Sequence, residues 1–139
     1  MAGASYLDTS ALVKLLQHER ESEALVDYLQ TPRRVLSSVL SRVETVRACL
    51  RVDLPASDAL ELLRVVESIT LEAGVVRAAG ALLPPSLRSL DAIHLASTLV
   101  ARSAVSGLKL LSLDDRVRNA ARKLGVDVLP EDRDWRSVA

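Results

Sequence analysis

Leu108-Lys109-Leu110-Leu111-Ser112-Leu113-Asp114-Asp115-Arg116-Val117, residues 108–117, is the stretch whose reading sets the fold class. Leu108 to Leu111 is an apolar run too short for a helix, and Gly107 precedes it, so it reads as a strand buried on both faces. Asp114 follows where a helix to about Leu124 begins, and aspartate is among the best N-caps. Gly125 stops that helix, Val126 to Leu129 forms a final strand, and the tail after Pro130 is polar. A strand that hands over to an acid at a helix start is the unit to look for elsewhere.

It recurs at the N-terminus. Ala4 to Leu7 reads as a short strand, Asp8 follows it, and a helix begins near Thr9 with Leu12, Val13, Leu15 and Leu16. A second helix spans about Glu21 to Gln30, and Pro32 stops it. Arg34 to Ser37 is a second strand, followed by a helix from about Ser38 to Val52. Pro55 opens a helix at the favoured first-turn position, expected to run to about Ser68. Ile69 to Leu71 is a short strand, and the next helix ends near Leu82. After Pro84 and Pro85, Ser89 looks like the cap of a helix reaching about Ala104. Strands alternating with helices imply an α/β fold with a parallel sheet covered on both faces. At 139 residues, with no repeat or long linker, residues 1–139 read as a single domain.

Composition narrows the function. Lys+Arg and Asp+Glu are 18 each, so no global positive field grips nucleic acid unaided. Tyr6, Tyr28 and Trp135 are the only aromatics, which argues against a base-stacking platform. A lone Cys49 excludes an internal disulfide and suits a reducing cytosol, and its helical context reads as a small buried residue. No signal peptide appears, and no segment approaches the roughly 18 apolar residues of a membrane span. A soluble cytoplasmic protein, with no membrane partner, is the expectation.

Four acids stand out: Asp8, Glu44, Asp91 and Asp114. Each has an ordinary explanation alone. Asp8 and Asp114 sit where helices need caps, and Asp91 lies in a first helical turn, where negative charge suits the macrodipole. Glu44 precedes Arg47 by three residues, a common surface pairing. Together they point to function. Glu44 borders the apolar row Leu40, Val43 and Val46, and Asp91 borders the row Ala92, Ile93, Ala96, Leu99 and Val100. Acids at core margins, two of them following strands, gather at the carboxyl edge of a parallel sheet, where ligands usually bind. Carboxylates brought together repel unless a cation neutralises them, and Mg²⁺ or Mn²⁺ is the natural choice for oxygen donors. His94, three positions after Asp91, reads as a packed or hydrogen-bonded helix histidine more readily than as a metal ligand. His18 lies in a polar stretch. Ser10 and Ser112 can each hold a carboxylate or a metal-bound water, or serve only in local capping. Arg116 is placed either for a phosphate or for a surface pair with Asp114 or Asp115.

The chain resembles the PIN-domain ribonucleases, and within them the VapC toxins of toxin–antitoxin pairs. The resemblance runs from Tyr6 to about Val128. Asp8-Thr9-Ser10-Ala11-Leu12-Val13-Lys14 is similar to the family's opening motif, and Leu40-Ser41-Arg42-Val43-Glu44 to its helix with a central Glu. Leu90-Asp91-Ala92-Ile93-His94-Leu95-Ala96 is very like the third acidic motif, and Ser112-Leu113-Asp114 like the late Ser/Thr-x-Asp; Asp115, adjacent, could share or replace the role of Asp114.

The resemblance implies a three-layer α/β/α sandwich around a short, mainly parallel sheet. It implies a Mg²⁺- or Mn²⁺-dependent endoribonuclease whose catalytic and metal-binding residues are Asp8, Glu44, Asp91 and Asp114. Its substrate would be structured tRNA or ribosomal RNA, cut to inhibit translation. It further implies a homodimer and a VapB-type antitoxin that lays an apolar tail across the first two helices, which carry Leu12, Leu15, Leu16, Leu25 and Leu29, and reaches the acids with an Arg.

The competing readings are weaker. A non-catalytic PIN-like RNA- or protein-binding module would be expected to lack an acid, and all four are present. A phosphatase using Asp8 as nucleophile needs a second Asp where Ser10 stands, and a receiver domain needs an acidic pair that Ala4-Ser5-Tyr6-Leu7-Asp8 does not offer.

Overall fold

Five strands and seven helices alternate along residues 3–17, 20–30 and 33–131, which are the residues described in the computed structural model. In chain order they are β1 (Gly3–Leu7), α1 (Thr9–Leu16), α2 (Arg20–Gln30), β2 (Arg33–Ser38), α3 (Leu40–Arg51), α4 (Ala56–Leu63), β3 (Glu67–Ile69), α5 (Ala73–Ala81), α6 (Ser89–Ala104), β4 (Lys109–Leu111), α7 (Asp115–Lys123) and β5 (Val128–Leu129). His18, Pro32 and the polar tail beyond residue 131 lie outside the described residues.

The strands form one sheet in the order β3-β2-β1-β4-β5, and every pairing is parallel. Alternate side chains leave a strand on opposite faces, and the two cores follow that rule. Tyr6, Leu36, Leu110 and Val128 pack on one face with Leu95 and Ala101 of α6 and Val117, Ala120 and Ala121 of α7. Leu7, Leu111 and the partly buried Val35 pack on the other with Leu12 of α1, Leu25 of α2 and Leu63 of α4. The result is a three-layer α/β/α sandwich. Both faces of β1 are buried from Ala4 to Leu7, as expected for the middle strand of a covered parallel sheet.

Strand order fixes where a cleft opens. From β1 the chain builds β2 and β3 to one side, then crosses to lay β4 and β5 on the other. The carboxyl ends of β1 and β4 therefore flank the topological switch point, the preferred ligand position in open α/β sheets. Asp8 leaves one of them and Ser112 the other.

Local signals explain most element ends. The Asp8 carboxylate accepts from the Ala11 N–H and the Asp114 carboxylate from those of Arg116 and Val117, so both cap helices as expected. α7 ends at Gly125, whose φ of 76° is open to a residue without Cβ. Its N–H donates to the Arg122 carbonyl while Val126 N–H donates to Ala121, the paired bonds of a Schellman motif.

Four expectations need correction. α4 stops at Leu63 rather than Ser68, because Glu67 to Ile69 pair with β2 as a strand, two residues earlier than expected. Pro55 is the residue before that helix, not its first turn. Ser89 is already helical, and the capping position is Arg88, which makes no side-chain cap bond. The buried face of α3 is Ser41, Thr45 and Cys49, whereas Val43 is 62% exposed. Small residues let α3 approach its neighbours closely, and apolarity alone pointed to the wrong stripe.

Arg118 closes the β4–β5 end of the sheet. It is 1% exposed, and its Nη atoms donate to the carbonyls of Ser112 at 2.8 Å, Leu129 at 3.1 Å and Pro130. A hydrogen bond from a charged donor is worth about 1.5–3 kcal/mol, and the carbonyls left behind would be buried. Arg118→Met is expected to lower unfolding free energy by about 3 kcal/mol, read as a shift of the urea midpoint at constant slope; an unchanged midpoint would show that Arg118 holds nothing.

Candidate active site

Asp8, at the end of β1, is 3% exposed. Burying a carboxylate is costly unless donors surround it, and three do. Ser10 Oγ donates to Oδ1 at 2.5 Å, Ala11 N–H to Oδ1 at 3.1 Å, and Ser112 Oγ to Oδ2 at 2.5 Å. The two serines also receive bonds from the backbone after β4. Leu113 N–H donates to Ser10 Oγ at 3.0 Å and Asp114 N–H to Ser112 Oγ at 3.1 Å. Both serines thus hold a carboxylate, the first of the two roles expected of them, and they tie the ends of β1 and β4 together. Burial still pushes the Asp8 carboxyl above its ordinary value; the Ser10 and Ser112 bonds and the Ala11 N–H only reduce the shift.

Glu44 reaches the same edge from α3. Its Oε1 accepts from Thr9 Oγ1 at 2.9 Å and lies 2.9 Å from His94 Nε2. His94 is 4% exposed, and its other ring nitrogen, Nδ1, lies 2.7 Å from Tyr6 Oη. Tyr6 Oη accepts from the Ser38 N–H at 3.1 Å, leaving its own hydrogen for Nδ1. Burial, and next the Asp8 charge, raise the Tyr6 phenol far above its ordinary value, so it remains a donor. This assigns Nε2–H of His94 to Glu44. Burial alone would raise the Glu44 carboxyl, but the hydrogen bonds from His94 and the Thr9 hydroxyl outweigh it and hold it low. Glu44 is therefore a fixed carboxylate, and its partner is His94 rather than Arg47.

Asp91, in the first turn of α6, and Asp114, capping α7, complete the edge. Asp91 has its carboxyl raised first by burial, then by Asp114, and also by Asp8, with His94 and Arg88 working against the rise. These acids feel one another. Asp115, by contrast, is exposed beside the half-buried Asp114. No group of three or more His, Cys, Asp or Glu side chains is preassembled as a metal-ligand set among the described residues. The donor chemistry nonetheless suits a hard divalent ion, because Asp8, Asp91 and Asp114 bring oxygen donors to one edge, close enough for Asp8 and Asp114 to raise the Asp91 carboxyl.

The Tyr6–His94–Glu44–Thr9 chain was not visible in the sequence beyond the hydrogen-bonded role given to His94. The one signal was positional: Tyr6 lies two residues before Asp8 on the central strand, and so faces α6 from the same side as the core that holds Leu95.

The raised Asp91 carboxyl fixes a sign. An acid whose folded-state value lies above its unfolded one favours folding below the unfolded value, and that advantage is lost as pH rises through the folded value. The contribution of Asp91 to the stability of the metal-free protein should therefore fall as pH climbs past the ordinary carboxylate range, opposite in sign to those of Glu44 and Glu67. Asp91→Asn should flatten that slope and stabilise the apo protein at neutral pH by about 0.5 kcal/mol, solvent screening keeping the gain small. Melting curves in chelator across pH 4–8 check this; a destabilised Asp91→Asn would mean that its charge is compensated.

The PIN domain family profile matches residues 5–138. Ribonuclease VapC46 of Mycobacterium tuberculosis (strain ATCC 25618 / H37Rv) is 44% identical over 133 residues, covering 91% of this chain and 96% of that protein. A toxin–antitoxin complex from Klebsiella pneumoniae superposes with a TM-score of 0.64 at 20% identity, over 79% of this chain and 86% of that one. Mycobacterium tuberculosis VapC20, a Sarcin-Ricin loop cleaving toxin, gives 0.65 at 18% identity, over 84% and 94%. At those identities the structural likeness is one of fold, while the profile and the sequence identity carry the kinship. The chain belongs to the PIN-domain family, among its VapC-type toxins.

Proposed function

We propose that the protein is a divalent-metal-dependent endoribonuclease toxin acting on structured RNA, tRNA or ribosomal RNA, to inhibit translation. The observation that carries the reading is that Asp8, Asp91 and Asp114 lie along the switch-point edge near enough for Asp114 and Asp8 to raise the Asp91 carboxyl, with Glu44 held there by Thr9 and His94. Kinship with ribonuclease VapC46 supplies the substrate class. The Sarcin-Ricin loop cleaving activity belongs to VapC20, and supports a ribosomal target here only by analogy of fold.

Asp8, Glu44, Asp91 and Asp114 are the residues that would hold Mg²⁺ or Mn²⁺. A bound ion of this kind supplies a water acidic enough to give hydroxide near neutral pH, and relieves charge on a phosphate under attack. The chain's own contribution is position. Ser10 and Ser112 keep the Asp8 oxygens aimed by occupying one lone pair on each. Thr9 and His94 do the same for Glu44, so His94 serves as an orienting residue behind a ligand. The half-buried Asp114 supports it, rather than the exposed Asp115, as the fourth acid.

A VapB-type antitoxin would restrain the enzyme. A groove of about 330 Å³ lies over α1, α2, β2 and α4, with Leu15, Val26, Leu29 and Val65 among its lining. It suits an apolar segment. Leu16 and Leu25 do not belong to its accessible surface, being 8% and 0% exposed. The homodimer and the cytoplasmic setting stay proposals resting on kinship; no helix among the described residues is long and apolar enough to cross a membrane.

Three experiments test this. Asp8→Asn and Asp91→Asn should each cut ribonuclease activity by about 100-fold or more, the usual scale for losing charge that stabilises a transition state. Mn²⁺ should raise the wild-type melting temperature and leave that of Asp91→Asn nearly unmoved. Asp114→Asn should damage cleavage more than Asp115→Asn. Equal activity in all four variants, or equal Mn²⁺ shifts, would defeat the assignment. For the partner, Val26→Gln with Val65→Gln, exposed at 40% and 72%, should weaken antitoxin binding about tenfold while melting is unaltered; unchanged affinity would place the antitoxin elsewhere.

A further inference from the structure

A second cavity adjoins the acidic edge, and the catalytic reading leaves it unused. It has a volume of about 420 Å³ and lies between α7 and the segment entering α6, lined by Pro84, Ser86, Leu87, Arg116, Asn119 and Lys123 among others. Arg116, Asn119 and Lys123 recur at spacings of three and four residues, so they share one face of α7. Both walls lead to the acids. Asp114 caps α7 two residues before Arg116, and the opposite wall runs into α6, whose first turn carries Asp91.

Helix stability accounts for Lys123, in the last turn of α7 where a cation suits the macrodipole, but not for Arg116. Arg116 stands in the first turn of α7, where the macrodipole is positive and a cation is unfavourable. Several basic side chains elsewhere are occupied: Arg34 pairs with Glu67 and Arg64 with Glu61, while Arg102, Arg118 and Arg122 donate to backbone carbonyls; Arg116 and Lys123 differ from the other exposed cations in lining one cavity beside the acidic edge. Arg116 and Lys123 are exposed, and among the described residues neither side chain forms an ion pair. In a chain of zero formal net charge, two cations and no carboxylate along one cavity beside the acidic edge are a local separation of charge. A polyanion that must approach that edge requires such a track.

We propose that this groove binds the phosphodiester backbone of the RNA strand on one side of the cleaved bond. Arg116 and Lys123 each pair with a backbone phosphate, and Asn119 hydrogen-bonds to sugar or phosphate between them. At 1.5 Å of rise per residue the two cations stand about 10 Å apart along the helix axis, enough to meet different phosphates. Pro84 and Leu87 give an apolar wall for a sugar or base face. The proposal rests on the ribonuclease reading for the choice of RNA as ligand.

The test is fluorescence anisotropy of a fluorescein-labelled single-stranded oligoribonucleotide of mixed sequence, in chelator so that nothing is cut, over a series of KCl concentrations. Arg116→Gln with Lys123→Gln is compared with Arg51→Gln plus Arg64→Gln, an equal charge change on the opposite helical layer. Each lost phosphate contact removes about 0.7 from the slope of log affinity against log salt for a single strand. The groove pair should therefore lower the slope by about 1.4, each single variant by about half of that, and the control pair by nothing. All these side chains are exposed, so melting temperatures should stay close to wild type. Wild-type slope in the groove pair, an equal loss in the control pair, or no binding by the wild type would each overturn the proposal. Cleavage in Mn²⁺ is scored separately. Binding as predicted by a wild type that cuts no RNA would remove the ribonuclease reading and keep the groove; cleavage undiminished in a groove pair with wild-type slope would remove only the groove.

Discussion

A carboxylate buried at the centre of a parallel sheet is the constraint around which this molecule is arranged. Asp8 leaves β1 at the switch point, where burial raises its carboxyl and donors from two strand ends hold it. Ser10 and Ser112 bind its two oxygens and accept from the backbone that follows β4, so stabilising the charge and joining the strand ends are one set of bonds. The sheet places Asp8 and Ser112 side by side because β1 and β4 pair in register, Leu7 opposite Leu111.

The same economy governs His94. It lies on α6 one turn from Asp91, at the right spacing to join a ligand set, yet both of its ring nitrogens are committed to protein partners. Tyr6 from the central strand fixes one nitrogen, and the other is spent on Glu44. The histidine three positions after Asp91 thus acts on a different acid, Glu44, 50 positions away in sequence. Asp91 and Asp114 receive no such support among the hydrogen bonds of the described residues, apart from the N-cap bonds that Asp114 accepts. Asp8 and Glu44 are held by side chains from other elements, Asp114 only by the start of its own helix, and Asp91 by none of the hydrogen bonds of the described residues.

The sequence made the layered fold legible wherever the signal was local. Asp8 and Asp114 could be assigned as caps because each stands between an apolar strand and a helix, Asp8 directly after β1 and Asp114 three residues after β4, and Gly125 because a helix there needs a residue free to take positive φ. What failed was non-local. The apolar pattern of α4 continues through Val65 and Val66, and only the register of β3 against Leu36, Ser37 and Ser38 ends the helix at Leu63. In α3, Ser41, Thr45 and Cys49 face inward because they are small, while the larger Val43 is left to solvent. The Tyr6 bond to His94 spans 88 positions and has no trace in local composition. The acids themselves were readable as a set; that two of them are locked and two are not was not.

Anomalous diffraction from Mn²⁺-soaked crystals tests the central claim most directly. The account predicts a manganese peak at the switch point, within oxygen-ligand distance of Asp8 and of at least one of Asp91 and Asp114, with the His94 ring still bonded to Glu44 and Tyr6. A peak ligated by His94, or one away from the carboxyl ends of β1 and β4 with none at Asp8, would contradict it.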